Sequence, residues 1–470
     1  MLDRSVIRDL ERQVDAPHVY VRPADLAAYA YDSWGASGER HLPDAVVFPG
    51  STEEAAGVVE VCAFHEVALI PRGAGTGYAA GAAPMRGGVV VSLARMNRIL
   101  GIEPDASRIH AEAGVITHAI HERAAKAGLY YPPDPGSSST CTIGGNVACN
   151  AAGPHTMRYG VTADYVAGVT AVLADGSIVR LGEGGDSSLG DLLALITGSE
   201  GTLGVITEVL LRLIAAPPAR ATLAATFSGM EPAATAVAGI AGAGIVPAAI
   251  EFLDAGALDA VRRAGGGTLA ADGAALVIVE LEGAPDDVDT GAGRVREAAT
   301  RAGATTVEIA ADAATAQRLW AARKAVSAAV AKVMIGKVNE DVVVPRDRIA
   351  ELVDFTGTLG ERHQLPVVNF GHLGDGNLHA TFLIDPRLPG ERTRADAAAG
   401  DLFDMVLTMG GSLSGEHGVG QAKLPYVERQ LGVGGVELMR RIKDAIDPRG
   451  VLNPGKKIPQ ASSAASNDAA

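Results

Sequence analysis

Three stretches crowded with glycine interrupt the first half of this 470-residue chain: RGAGTGYAAGA at 72–82, YPPDPGSSSTCTIGGNVACNAAGPHTMRYG at 131–160 and GSEGTLGVIT at 198–207. Each lies among segments that read as strands and helices. Glycine and asparagine runs held inside a domain mark backbone packed closely against a ligand. A fold for this chain must bring the three to one place. None of them is a dinucleotide fingerprint of the Rossmann kind: in the first, Tyr78 stands where a third glycine should be and no helix follows directly.

Around these stretches the pattern is mixed. From Asp44 the order is a strand (AVVFP), a turn whose Ser51 opens the capping pattern STEE, a helical run to His65 and a second strand (VALIP). Three short strand-like runs, a helix near 117–127 and a hairpin signature at Asp175-Gly176 follow. The opening MLDRSVIRDLERQV suits an amphipathic helix. AAPPAR at 215–220 joins two prolines to small residues ahead of a fresh strand and helix pattern, which places a domain boundary there. The expected organisation is a first domain over 1–214, a second over 215–457 and a disordered tail over 458–470.

Charge and cysteine content narrow the partners. Lys and Arg total 40 against 55 Asp and Glu, and a net charge of -15 disfavours nucleic acid and anionic lipid. Cys62, Cys141 and Cys149 cannot all pair and show no CxxC spacing, which points to a reducing compartment. The most apolar long window, 233–250, is Ala and Gly broken by Pro247, so no integral membrane span is expected. The expected location is cytoplasmic, with a membrane approached at most through a partner.

The second half carries its own constellation. In PVVNFGHLGDGNLHATFLI, two strand-like runs flank Asp375-Gly376, a pair favoured in a two-residue hairpin turn. With that turn, His372 faces His379 directly, with Cβ atoms roughly 5 Å apart, so two imidazoles could share one metal ion. Glu416, in the glycine-flanked GGSLSGEHGVG, is the third candidate ligand. Two neutral imidazoles and a carboxylate suit zinc, with manganese or iron as alternatives. The competing reading of Glu416 and His417 is a solvated pair on a loop.

In their order, the three glycine-rich stretches resemble the flavoproteins of the vanillyl-alcohol oxidase and p-cresol methylhydroxylase superfamily. That resemblance implies FAD, with its pyrophosphate on Arg72, Gly73, Gly75, Thr76 and Gly77. It implies a central loop beside the flavin at Pro133, Asp134, Ser137, Thr142, Gly145 and Asn146, and a segment along the cofactor at Glu200 and Ile206. The pyrophosphate loop offers no His, so non-covalent FAD is expected, with His155 and Cys141 leaving the alternative open. The implied fold is α+β: a two-subdomain FAD-binding domain of p-cresol methylhydroxylase type, followed by an α+β substrate-binding cap domain.

The strings GHLGDGNLH, SGEHGVG and LNPGK, with RKAV and EDVVVPR, resemble the D-2-hydroxy-acid dehydrogenase branch of the same superfamily. That branch includes the flavin subunit of glycolate oxidase, D-lactate dehydrogenases and D-2-hydroxyglutarate dehydrogenase. By this resemblance His372, His379 and Glu416 are metal ligands, His417 is the catalytic base and Asn453 returns to the flavin. Arg323 would grip the substrate carboxylate, with Ser327 on the same helix face, and Lys337 would help bind substrate. For Arg323 and Lys337 the competing reading is a solvated helix or strand face.

The expected activity is therefore metal-assisted oxidation of a D-2-hydroxy acid (D-lactate, glycolate or D-2-hydroxyglutarate) to the 2-oxo acid by FAD. A metallohydrolase, an assisting flavin subunit without turnover, and a same-fold oxidase of lactones or phenols are the alternatives. The electron acceptor is expected to be an electron-transfer flavoprotein, an iron–sulfur subunit or a quinone, and a homodimer is left open.

Overall fold

The computed structural model describes residues 2–34, 40–183, 192–265 and 275–460; most of the tail expected to be disordered, 461–470, lies outside them. The helix Arg4–Val14 is capped by Asp3 and buries Val6, Leu10 and Val14, one face at four-residue spacing. Beyond it, strands 19–20, 45–47, 89–92 and 69–72 form a four-stranded sheet in that order, with the last three parallel. The crossover helix Thr52–Phe64 begins at Ser51, whose hydroxyl accepts from the Glu54 amide. A second, antiparallel sheet takes strands 99–103, 108–112, 205–212, 166–172 and 178–182. Asp175-Gly176 makes the expected turn in it, with Gly176 at φ +84°. One continuous core, containing Val58, Val89, Val169 and Val209, joins the two sheets.

The remaining chain builds a seven-stranded antiparallel sheet, ordered 306–309, 219–227, 275–283, 249–254, 367–372, 377–384 and 336–343. One face packs Ile250, Phe252, Val338 and Val342 against a core shared with the helices Met230–Gly242, Pro285–Arg301, Ile349–His363 and Glu391–Thr408. The other face packs Leu253, Phe370 and Leu383 against the helices Ala255–Arg263 and Ala313–Val333. Side chains alternate along a strand. The residues that share this second face therefore include Glu251, His372, His379, Asp341, Asn339 and Lys337.

The hairpin register differs from the expectation. His372 pairs with Asn377 and His379 with Phe370, so the connection is the four residues 373–376 and not Asp375-Gly376 alone. The longer connection is held from the neighbouring strand, the Val344 amide donating to the Gly376 carbonyl at 3.0 Å, while Leu373 stays buried on the opposite face. Asp375 Oδ1 accepts from the Asn377 amide, and Gly376 takes φ +83°. A slip of two positions keeps every side chain on its face. The two imidazoles remain neighbours as a diagonal pair, with ring centroids 5.4 Å apart.

After the helix Val427–Ile446 the chain returns to the first lobe. Leu452 bridges Leu69, and the Asn453 amide donates to the Leu69 carbonyl at 2.7 Å.

Candidate active site

A cavity of about 1410 Å³ runs between the lobes. Pockets for ordinary small ligands span roughly 300–1,000 Å³, so this one has room for a long cofactor and a small substrate together. Arg72, Gly73, Gly75, Thr76, Gly77, Asp134, Ser137, Thr142, Gly145, Asn146, Glu200 and Ile206 all line it. Its wall near the first glycine stretch is bare backbone for steric reasons. A Cβ on Gly73 would meet Thr142 Oγ1 at 2.1 Å, and one on Gly75, at φ +70°, would meet Arg72 Nη2 at 2.1 Å. A Cβ on Gly77 would meet nothing within 4 Å.

Arg72 serves the loop itself, donating to the carbonyls of Tyr31 at 2.8 Å and Ala82 at 3.2 Å. Thr142 Oγ1 is buried without a protein partner, a polar atom left for a ligand. Bare backbone amides and an orphaned hydroxyl in a long cavity fit the pyrophosphate and ring system of FAD.

Other residues from the same stretches stand differently. Part of the central stretch is a helix, Ile143–Cys149, despite its paired glycines. From this helix Asn146 Nδ2 donates to Thr117 Oγ1, at the start of the helix Thr117–Ala125, at 2.7 Å. Pro133 is not in the cavity wall; its carbonyl bonds His121 Nε2 at 2.9 Å. Glu200 sends its carboxylate to the amides of Val419 and Gly420, at 2.9 and 2.6 Å, and so ties the SGEHGVG loop to the first lobe. Asn453 Nδ2 donates to the carbonyls of Gly81 and Glu200 at 2.9 and 2.8 Å.

At the cap end of the cavity, Glu416 Oε1 lies 3.5 Å from His372 Nε2 and 3.3 Å from His379 Nε2. The three offer ligand atoms all within 4.8 Å of one another. Glu416 Oε2 is buried with no partner. Burial would raise the Glu416 carboxyl, but the hydrogen bonds from His372 and His379 hold it well below the usual carboxylate range. An ionised carboxylate, two imidazoles and a spare oxygen are a fitting donor set for a divalent cation.

His417 follows directly. Its ring lies 5.1 Å from His379 and 4.9 Å from Tyr78. Burial pushes the imidazole down to about 4, with Asp341 offsetting part of the effect, so the ring is neutral near pH 7. Arg323 lies with its guanidinium 4.9 Å over Phe370 and its Nε 2.6 Å from Glu251 Oε2. Ser327 lines the cavity and bonds the Tyr78 hydroxyl. Lys337 Nζ lies 5.0 Å from the Tyr78 ring, and burial lowers its pKa.

Sequence reasoning missed several residues at this site. Asp341 Oδ2 accepts the amides of Gly415, Glu416 and His417 at 2.8 to 3.0 Å, and so shapes the loop that carries the ligand and the base. Its signal was the adjacent pair Glu340-Asp341 at the head of an apolar run, two carboxylates that alternation sends to opposite faces. Glu251, a carboxylate inside the apolar strand AIEFLD, joins His372 to Arg323. A third buried carboxylate, Glu280, meets His155 Nε2 across the lobes at 3.1 Å and accepts from Trp320 Nε1 at 2.9 Å. With Glu282 these form another cluster with metal-ligand spacing, but the Arg220 guanidinium already pairs with both carboxylates there.

Comparison with known proteins agrees with this geometry on both lobes. Residues 43–182 match the family described as FAD binding domain, and residues 216–457 match FAD linked oxidases, C-terminal domain. The glycolate oxidase subunit GlcD of Bacillus subtilis is 36% identical, covering 92% of each chain. A D-lactate dehydrogenase of Anaerostipes hadrus is 35% identical over 88% of this chain and 89% of its own. A D-2-hydroxyglutarate dehydrogenase of Xanthomonas citri pv. viticola is 33% identical over 96% of each.

Among solved structures, 4-ethylphenol oxidase from Gulosibacter chungangensis superposes with a TM-score of 0.79 at 21% identity, covering 97% of both chains. p-Cresol methylhydroxylase superposes at 0.74 and 18%, covering 97% of this chain and 96% of its own. These two share the fold. With both lobes matched and a cofactor-length cavity ending at a cluster of imidazoles, the chain belongs to the FAD-linked oxidases, as a flavin-dependent oxidoreductase acting on CH–OH donors.

Proposed function

We propose that this protein oxidises a D-2-hydroxy acid to the 2-oxo acid with non-covalently held FAD and a divalent cation on His372, His379 and Glu416. The observation that carries the reading is the meeting, at one end of the cavity, of that donor set with the neutral His417 and with Arg323. The names of the relatives put glycolate, D-lactate and D-2-hydroxyglutarate forward as substrates.

When bound, FAD supplies the two-electron acceptor, and a cation such as zinc supplies a Lewis acid for the hydroxyl oxygen. The residues of the chain divide the other tasks. Arg323 takes the substrate carboxylate through the guanidinium nitrogens that Glu251 leaves free. His417 accepts the hydroxyl proton, which a ring kept neutral by burial can do. Asp341 holds the backbone that aims His417, and Lys337 and Ser327 set the position of Tyr78 beside it. Pro133 and Asn453 support the flavin site from behind, through His121 and the Gly81 and Glu200 carbonyls.

Reoxidation falls to a separate electron-transfer flavoprotein, iron–sulfur subunit or quinone, since three cysteines cannot hold an iron–sulfur cluster in the usual way. Among the described residues no helix is long and apolar enough to cross a membrane. We take the protein to work in the cytoplasm, at a membrane surface only through that acceptor. A match to FAD-linked oxidases along both lobes leaves the metallohydrolase alternative without support.

The test is the anaerobic visible spectrum of the flavin-loaded protein with a panel of D- and L-2-hydroxy acids. Bleaching by D-acids or by the achiral glycolate, and not by L-acids, is the expected result, and the fastest acid names the substrate. Bleaching only by a phenol or a lactone would overturn the reading.

A further inference from the structure

Glu251 lies on the strand Ala249–Asp254 directly opposite His372 in antiparallel register, and it is 0% exposed. Its neighbour on the same face, Leu253, is a core residue. A carboxylate taken out of water is tolerated only when its charge is paired. Here one carboxylate meets two partners: Oε1 bonds His372 Nδ1, and Oε2 accepts from Arg323 Nε at 2.6 Å.

The two partners have different tasks in the function proposed above, and this inference rests on that reading. An acceptor at Nδ1 favours a proton on that nitrogen, so with a cation bound beside Glu416 a neutral His372 would offer it the bare Nε2. The bond at Nε of Arg323, with the ring of Phe370 beneath the guanidinium, fixes the plane in which the outer nitrogens lie. We propose that Glu251 is a positioning residue that sets the tautomer of His372 and the aim of Arg323 with one charge, and thereby couples metal occupancy to binding of the substrate carboxylate. Coupling of this kind is reciprocal: a bound cation would change the affinity for the substrate carboxylate by the same factor as the bound carboxylate changes the affinity for the cation.

The test uses the full flavin-loaded chain, stripped of metal and titrated with zinc against a colorimetric chelator. For Glu251→Gln the expected result is a zinc dissociation constant weakened about ten- to a hundredfold, with flavin content unchanged. The KM for the best 2-hydroxy acid should rise in parallel. A zinc affinity within twofold of the wild type, with only a lowered melting temperature, would show that Glu251 is merely structural and would overturn the proposal.

Should Glu251→Gln fail to fold, Arg323→Met answers the same question, because Arg323 is not among the metal-donor residues. With Glu251 released to His372 alone, zinc should bind several-fold tighter, and unchanged affinity would overturn the coupling. Wild-type protein that takes up no zinc would remove the proposed metal site itself. Wild-type uptake that both variants reproduce would remove only the role of Glu251.

Discussion

The imidazoles of His379 and His417 lie 5.1 Å apart and only 22° from parallel, one on a strand of the cap sheet and the other on the glycine loop after it. That stack places the proposed base against a proposed metal ligand, so a substrate hydroxyl at the metal would lie beside the base. His417→Ala is expected to keep flavin and zinc while turnover falls about 10²–10⁴-fold, the usual contribution of a positioned acid or base. Flavin absorbance, metal analysis and the rate of anaerobic reduction check the three parts. Near-wild-type reduction by the variant would take His417 out of the role.

Metal removal separates the cap chemistry from flavin binding. The cavity's glycine wall and the His372, His379 and Glu416 cluster come from different lobes, so a chelator should empty one and spare the other. Dialysis against a chelator is expected to abolish reduction by 2-hydroxy acids with the flavin spectrum intact, and added zinc or manganese should restore it. Turnover indifferent to chelation would point to a metal-free oxidase of the same fold.

Much of this was legible in the sequence, and the gaps share a physical origin. The strand alternation, the Ser51 cap and the Asp175-Gly176 turn are local and came through. The meeting of His372, His379 and Glu416 was legible too, because the hairpin puts the two imidazoles on one face even in a register two positions away, and glycines on either side of Glu416 mark a tightly held backbone. Glu251, Asp341 and Glu280 were not, because the partners that give each carboxylate its place are brought to it only by tertiary folding. The hairpin register went astray for a similar reason: a two-residue turn is the local preference, and the longer connection is held by the Val344 amide, a partner that only tertiary folding supplies. The helix Ile143–Cys149 was hidden by residues that disfavour helices in isolation, Gly144, Gly145 and Asn146.

The glycines of the first stretch should differ in how they fail. Gly75 has φ +70° and a Cβ there would displace the Arg72 guanidinium that ties the loop to Tyr31 and Ala82. Gly75→Ala is therefore expected to lower the melting temperature of the flavin-free protein, with a backbone cost of roughly 1–2 kcal/mol before any steric term. Gly77 faces open space in the cavity wall. Gly77→Ala should leave the flavin-free melting temperature alone and reduce FAD retention, read as flavin-to-protein absorbance after gel filtration. Equal behaviour of the two variants would contradict the assignment of this loop to the cofactor.

Glu340 gives a pH dependence that can be measured without substrate. It is 5% exposed, and burial pushes its carboxyl up to about 7, with Lys423 opposing and Asp341 adding to the rise. Between 4.5 and 7 the folded chain therefore holds a proton on Glu340 that the unfolded chain has released. Its contribution to stability is fully present below 4.5 and is lost as pH rises through about 7. At about 1.4 kcal/mol per pH unit, that gap corresponds to roughly 3 kcal/mol. Glu340→Gln keeps the shape and removes the proton, so the variant should gain on the wild type by about that amount between pH 4.5 and 8. Thermal or urea unfolding of both proteins across that range reads the difference directly. A difference that stays constant with pH would mean that Glu340 is ionised in the folded chain, neutralised by Lys423.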